Sequence, residues 1–143
     1  MAHSDFLFFH AMRVRWSEVD MQGVVFNGHY LNYFDVAFTE YWRATSLPDV
    51  LQQAGDGYEL FARKAAIEYL APARFDDVLT IGVRCAQVDN TSLCFVLEIH
   101  TDTTLSVTGE LTYVHTDTAL RKSVRLPDSW RERLTARDRC SLA

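Results

Sequence analysis

Cysteine is scarce in this sequence. Its 143 residues include three, Cys85, Cys94 and Cys140, an odd and widely spaced set without a C-x-x-C pair. Such a set fits neither a disulfide framework nor a cysteine-rich zinc site. His3, His10, His29, His100 and His115 form neither H-x-x-x-H nor H-E-x-x-H, so a metal site has no local support. The G-x-S-x-G, G-x-G-x-x-G and P-loop signatures are missing as well. No stretch reaches the roughly 18 uninterrupted apolar residues of a membrane-spanning helix. The start, Met1-Ala2-His3-Ser4-Asp5, lacks the basic region and cleavage site of a signal peptide. Basic charge is also short: 14 Lys and Arg stand against 19 Asp and Glu, for a net charge of −5. A general nucleic-acid binder needs a basic surface to displace counterions from phosphates, so that class is excluded. The expectation is a cytoplasmic protein with no metal, no nucleic-acid partner and no transmembrane segment.

What is present suffices for one core. Hydrophobic types make up 48% of the chain and aromatics 13%, and the length is that of a single domain spanning 1–143. Residues 6–16 alternate as a strand, with Phe6, Phe8, His10, Met12, Val14 and Trp16 on one face and Arg13 and Arg15 on the other. A polar turn, Ser17 to Gly23, ends it. From Tyr30 the period becomes helical: Tyr30, Phe34, Ala37, Phe38, Tyr41 and Trp42 form one apolar stripe. Asn27 and Gly28 occupy the capping region and Leu47-Pro48 marks the stop. A short helix is expected over Asp49–Ala54, ended by Gly55-Asp56-Gly57.

Strands follow near 58–71 and over 78–88, 92–100 and 104–116, with turns at Ala71-Pro72, Asp89-Asn90-Thr91 and Thr101-Asp102-Thr103. Their odd-numbered apolar residues share one buried face only if each hairpin loop holds an odd number of residues, because strand alternation has period two. That register puts Cys85 and Cys94 on opposite faces and argues against a bridge between them. A short helix at about 127–136, with Trp130 and Leu134 as its apolar side, closes the chain before a frayed polar end. The pattern predicts an α+β domain with a core at about 6–117, in which a curved antiparallel sheet wraps one long central helix.

Two segments resemble a known family. The run from Arg13 to Asp35, R-V-R-W-S-E-V-D-M-Q-G-V-V-F-N-G-H-Y-L-N-Y-F-D, continuing to Thr39-Glu40, is similar to the opening of hot-dog-fold acyl-CoA thioesterases. The likeness is to the 4-hydroxybenzoyl-CoA thioesterase branch, including the Tol-Pal-associated thioesterases. Ile67 to Asp77, I-E-Y-L-A-P-A-R-F-D-D, resembles that branch's segment entering the next strand. The resemblance spans roughly residues 10–117. It implies the hot-dog fold and hydrolysis of an acyl- or aroyl-CoA thioester, with no cofactor beyond the coenzyme A that belongs to the substrate. It also implies a homodimer or homotetramer with each site at a subunit boundary. By that resemblance the catalytic carboxylate is Asp20, ahead of Gly23-Val24-Val25, and Asn27 sits where backbone N–H groups receive the thioester oxygen. Many Tol-Pal-associated members carry histidine where this chain has Asn27, which leaves the backbone role in place.

The chemistry suits these residue types. An ionised carboxylate such as Asp20 can attack a thioester carbonyl directly or polarise a water. Free N–H groups at the Asn27–Tyr30 turn and the positive helix end would receive the oxyanion. The ordinary role of an aspartate here is to form or cap the turn. Glu18, two residues away, is either a general acid raised by like charge or a solvated strand-end glutamate. His29 can hold a water, contact the thioester or simply bond a nearby carbonyl. Gly28-His29-Tyr30 also has a faint likeness to the G-H-F motif of hot-dog acyl dehydratases, which keeps a dehydratase or hydratase using His29 as an alternative, beside a non-catalytic acyl-CoA-binding domain. Gly23, Val24 and Tyr30 are candidate substrate contacts, although most of the aromatic stripe reads as core. An acidic protein needs local cations for coenzyme A, and Arg63, Lys64 and Arg74 are the first candidates, ahead of Arg84 and Arg121-Lys122-Arg125. A hydrophobic content beyond one monomer's core is best accounted for by subunit contacts.

Overall fold

The computed structural model describes residues 5–142; His3, weighed above as a ligand, lies outside them. Strands β1 (Phe8–Arg13), β2 (Tyr58–Tyr69), β3 (Val78–Val88), β4 (Ser92–Thr101), β5 (Thr104–Asp117), β6 (Lys122–Ser123) and β7 (Ser141–Leu142) accompany helices α1 (His29–Thr45), α2 (Val50–Gly55) and α3 (Asp128–Asp138). The sheet runs β1-β3-β4-β5-β2, with β6 on β5 and β7 on β3. β1 pairs antiparallel with β3, Phe8 opposite Val83 and Arg13 opposite Val78.

The elements follow the expected periods, with four corrections. The first strand is shorter than 6–16, because a 3-10 turn over Trp16–Glu18 replaces its end. Trp16, placed on the apolar face by alternation, is therefore exposed. The second hairpin loop has two residues, 102–103, with Asp102 at φ 53°. An even loop upsets strict alternation, and Ser106 and Val107 are consecutively buried where alternation allows one. Finally, the polar end is not frayed throughout: β7 pairs with β3, and in parallel rather than antiparallel sense.

The chain packs as two compact units. The first comprises Met1–Tyr41, Ile67–Val83 and Leu97–Gly109. Its core gathers Tyr33, Phe34, Ala37 and Tyr41 from α1 with Leu79 and Ile81 from β3 and Leu97 and Ile99 from β4, all essentially solvent-free. Tyr33 joins the predicted stripe because it lies one helical turn from both Tyr30 and Ala37. Gly109 is required here, since a Cβ at that position would lie 2.2 Å from Cε2 of Phe34.

The second unit comprises Trp42–Ala66, Arg84–Val96 and Glu110–Ala143. Trp42 and Trp130 meet edge to face at 5.4 Å, and Leu93, Phe95, Leu126 and Leu134 are buried in the same unit. The three thiols are free. Cys85 and Cys140 are hydrogen-bonded to each other, which pulls Cys140 down to about 7 and, with burial, pushes Cys85 up. Cys94 instead reaches Glu110 Oε1 at 3.6 Å.

Candidate active site

The site is built in the first unit, between the end of β1 and the start of α1. The Glu18 carboxylate closes the 3-10 turn by accepting the Arg15 N–H at 2.7 Å. The same oxygen accepts the Tyr33 hydroxyl at 3.0 Å. Burial and this carboxylate together hold the Tyr33 phenol well above its ordinary range. Glu18 is thus a structural anchor rather than a solvated strand end.

A tight hairpin follows. The Asp20 N–H donates to Val24 O at 2.9 Å and the Gly23 N–H to Asp20 O at 2.9 Å. Bridges from Val19 to Val25 and from Val24 to Arg74 tie the loop to the segment entering β3. Gly23 has φ 76°, a left-handed conformation that a side chain resists. Gly23→Ala is expected to cost about 1 kcal/mol of stability, measured by urea denaturation, with a larger relative loss of activity if the turn shifts.

The Asp20 side chain takes the turn-forming role and also borders a cavity. Its Oδ1 accepts the Gln22 N–H at 2.8 Å, an Asx turn. Among the described residues its second oxygen carries no hydrogen bond. Asp20 lines a cavity of about 660 Å³ together with Trp16, Val19, Met21, Gly23 and Phe75. Trp16 and Phe75 meet edge to face at 5.2 Å on this wall.

At the helix start, the His29 N–H donates to Phe26 O at 2.9 Å and the Tyr30 N–H to Asn27 O at 3.4 Å. The expected set of free donors is narrower as a result: among the described residues, only the N–H groups of Asn27 and Gly28 in the Asn27–Tyr30 turn carry no hydrogen bond. Tyr69 Oη donates to the Asn27 carbonyl at 3.2 Å, which holds the turn in place.

Asp20, Gly23, Val24, Asn27, His29, Tyr30 and Arg74 all fall in the first unit. Asp20 and Gly23 line the cavity; Val24, Asn27, His29, Tyr30 and Arg74 do not. Tyr30 is in the core, its hydroxyl accepting the Ala73 N–H at 3.3 Å and its ring edge-on to Tyr33 and Tyr69. Burial raises its phenol above the ordinary value. The His29 ring lies edge to face against Phe26 at 5.9 Å. Arg74 is exposed and, among the described residues, unpaired. Arg63 and Lys64 belong to the second unit, where Lys64 pairs with Glu110 at 3.5 Å. The sequence reading missed Trp16, Val19, Met21 and Phe75 as cavity wall. Apolar residues flanking the acidic stretches Glu18–Asp20 and Asp76–Asp77 were the available signal.

The sheet, its long helix and the acidic turn at the helix start define an α+β protein of the hot-dog class. The chain belongs to the Thioesterase-like superfamily, whose family model matches residues 14–134. It is 32% identical over 124 residues to the acyl-CoA thioester hydrolase YbgC of Escherichia coli O6:H1, covering 86% of this chain and 92% of that protein. Solved structures share the fold. A 1,4-dihydroxy-2-naphthoyl-CoA thioesterase from Synechocystis matches with a TM-score of 0.82 and 22% identity, over 89% of this chain and 94% of that one. A Staphylococcus aureus protein solved in complex with CoA matches with a TM-score of 0.85 and 19% identity, over 94% and 85%.

Proposed function

We propose that this protein is an acyl-CoA thioesterase hydrolysing an acyl- or aroyl-CoA thioester to free acid and coenzyme A, with Asp20 as nucleophile or general base. The family and the hydrolase named among its relatives support the reaction class. The observation that carries the site assignment is Asp20 on the wall of an open, largely apolar cavity, with only one of its carboxylate oxygens engaged by a hydrogen bond among the described residues. Fixing Oδ1 to the Gln22 N–H orients the carboxylate without neutralising it. In direct attack, the free oxygen bonds to the thioester carbon, the C–S bond breaks and the thiolate leaves; water then cleaves the anhydride. In the alternative, the carboxylate takes a proton from the attacking water. On both routes charge develops on the carbonyl oxygen, and the Asn27 and Gly28 N–H groups are its proposed receivers.

Gly23 and Val24 are proposed to shape the acyl entrance, with Trp16 and Phe75 as an aromatic wall. Tyr30 supports that region from the core through Ala73. His29 is proposed to orient water beside Phe26. Arg74, exposed and, among the described residues, unpaired, is the first choice for the coenzyme A phosphates, followed by Arg63 and then by Lys64, which must exchange its Glu110 partner. The substrate brings its own coenzyme A, so no separate cofactor is required.

The protein is proposed to act as a single domain in the cytoplasm and to assemble as a homodimer or homotetramer. Among the described residues no helix is long and apolar enough to cross a membrane. Supporting assembly, β2 ends the strand order and leaves Tyr58, Phe61 and Tyr69 exposed, an open edge of the kind that pairs with another sheet. Free-thiol release measured across short aliphatic, long aliphatic and aromatic acyl-CoA thioesters tests the reading. Turnover is expected with at least one of them; binding without thiol release from any would favour an acyl-CoA-binding domain instead.

A further inference from the structure

Glu18 ties together the segments that carry the proposed carboxylate and the proposed oxyanion donors. Its N–H donates to Arg15 O at 3.0 Å, and its carbonyl accepts the Phe26 N–H at 3.0 Å. Its Oε1 accepts the Arg15 N–H at 2.7 Å and the Tyr33 hydroxyl at 3.0 Å. Asp20 stands just beyond Glu18 in the chain, and Asn27 follows Phe26 directly. A single residue thus joins the chain leaving β1, the segment entering the Asn27–Tyr30 turn, and α1.

Tyr33 is the α1 end of this link, and its burial makes the link hard to loosen. It is 1% exposed, so its hydroxyl cannot turn to solvent for another acceptor. Moving α1 away from the 3-10 turn would leave that hydroxyl unmet in the core. The ring is held as well: it meets Tyr30 edge to face at 5.7 Å, and the Tyr30 hydroxyl accepts the Ala73 N–H at 3.3 Å. Burial and the Glu18 carboxylate hold the phenol above its ordinary range, so near neutral pH it remains a donor.

Both residues belong to the first unit, and neither lines the Asp20 cavity. Any effect of theirs on the reaction must pass through the groups that they hold. A displacement of about 1 Å at a reacting group can cost as much as about a hundredfold in rate. The shell of side chains behind such a group sets its distance to the others.

We propose that Tyr33 is a positioning residue for thioester hydrolysis: through Glu18 it fixes the Asp20 carboxylate relative to the Asn27 and Gly28 N–H groups. The proposal rests on Asp20 as the reacting carboxylate. Steady-state kinetics by thiol release on Tyr33→Phe, Glu18→Gln and Glu18→Leu test it, with circular dichroism and melting temperature recorded for each. Tyr33→Phe keeps the ring and removes one hydroxyl; kcat is expected to fall about tenfold with KM within about twofold of wild type. Glu18→Gln keeps an oxygen that accepts both donors, and kcat should stay within about threefold of wild type. Glu18→Leu accepts neither and should fall at least as far as Tyr33→Phe. Because Tyr33 acts through Asp20, adding Tyr33→Phe to Asp20→Asn should leave the residual rate unchanged.

Wild-type kcat in folded Tyr33→Phe, a loss of about tenfold in Glu18→Gln, or a further loss of about tenfold when Tyr33→Phe joins Asp20→Asn would overturn the proposal and leave Asp20 in place. Near wild-type turnover in Asp20→Asn would remove Asp20 and this proposal together. If Tyr33→Phe does not fold, the Glu18 pair decides: equal kcat in Glu18→Gln and Glu18→Leu overturns the proposal.

Discussion

Asp20→Asn is expected to lower acyl-CoA hydrolysis by about a hundredfold or more, the usual scale for removing a group that attacks or takes a proton in the transition state. The substitution separates chemistry from structure. An asparagine Oδ1 still accepts the Gln22 N–H that now binds Asp20 at 2.8 Å, and the backbone bonds of the turn do not involve the side chain. The melting temperature and circular dichroism should therefore stay close to wild type. The loss should appear in kcat rather than in KM, because the carboxylate acts on the reacting carbon or water and not on the bulk of the substrate. A variant retaining near wild-type turnover would remove Asp20 from the mechanism. A variant that lost activity together with its fold would show that the Asx turn depends on the charge.

The largest expected stability effect comes from the first unit's core. In Gly109→Ala the new methyl group would sit 2.2 Å from Cε2 and 2.5 Å from Cζ of Phe34. Phe34 has no solvent-exposed surface into which it could swing. Overpacking of this kind typically costs about 1–3 kcal/mol, and an overlap with a fully enclosed ring belongs at the upper end. At roughly 3–4 °C per kcal/mol for a chain of this size, the melting temperature should fall by about 10 °C. Combining it with Phe34→Leu should recover part of the loss, since the smaller side chain vacates the contested space. The double-variant cycle should then give a coupling of about 1 kcal/mol or more. Strict additivity would place the cause elsewhere than at this contact.

Much of the secondary structure was legible in local patterns. The helical stripe from Tyr30 to Trp42 falls within α1, and the strands at 78–88, 92–100 and 104–116 match β3, β4 and β5 to within a residue at each end, because each buries one face and repeats its apolar residues at the period of its own geometry. The resemblance of Arg13–Asp35 and Ile67–Asp77 pointed to the superfamily that the family match identifies. What local patterns missed involved groups distant in sequence. Alternation placed Trp16 in the core, yet Glu18 draws the chain into a 3-10 turn by bonding Arg15 and Tyr33. Phe75 lies 59 positions from Trp16 and still meets it on the cavity wall.

The sequence by itself determined the period of each main element, the acidic balance of the chain, and the position of an aspartate in a turn just before the long helix. These depend on residue type and spacing, which act over a few neighbours. Only the tertiary structure decided which oxygen of Asp20 is free, which N–H groups at Asn27–Tyr30 remain unspent, and that Tyr30 supports Ala73 from the core instead of lining the cavity. It also brought Gln53, Asp56, Tyr58, His115 and Trp130 around one cavity in the second unit. A hydrogen-bonding group has limited capacity and a cavity is bounded from several directions, so both depend on contacts between distant segments that no local pattern encodes.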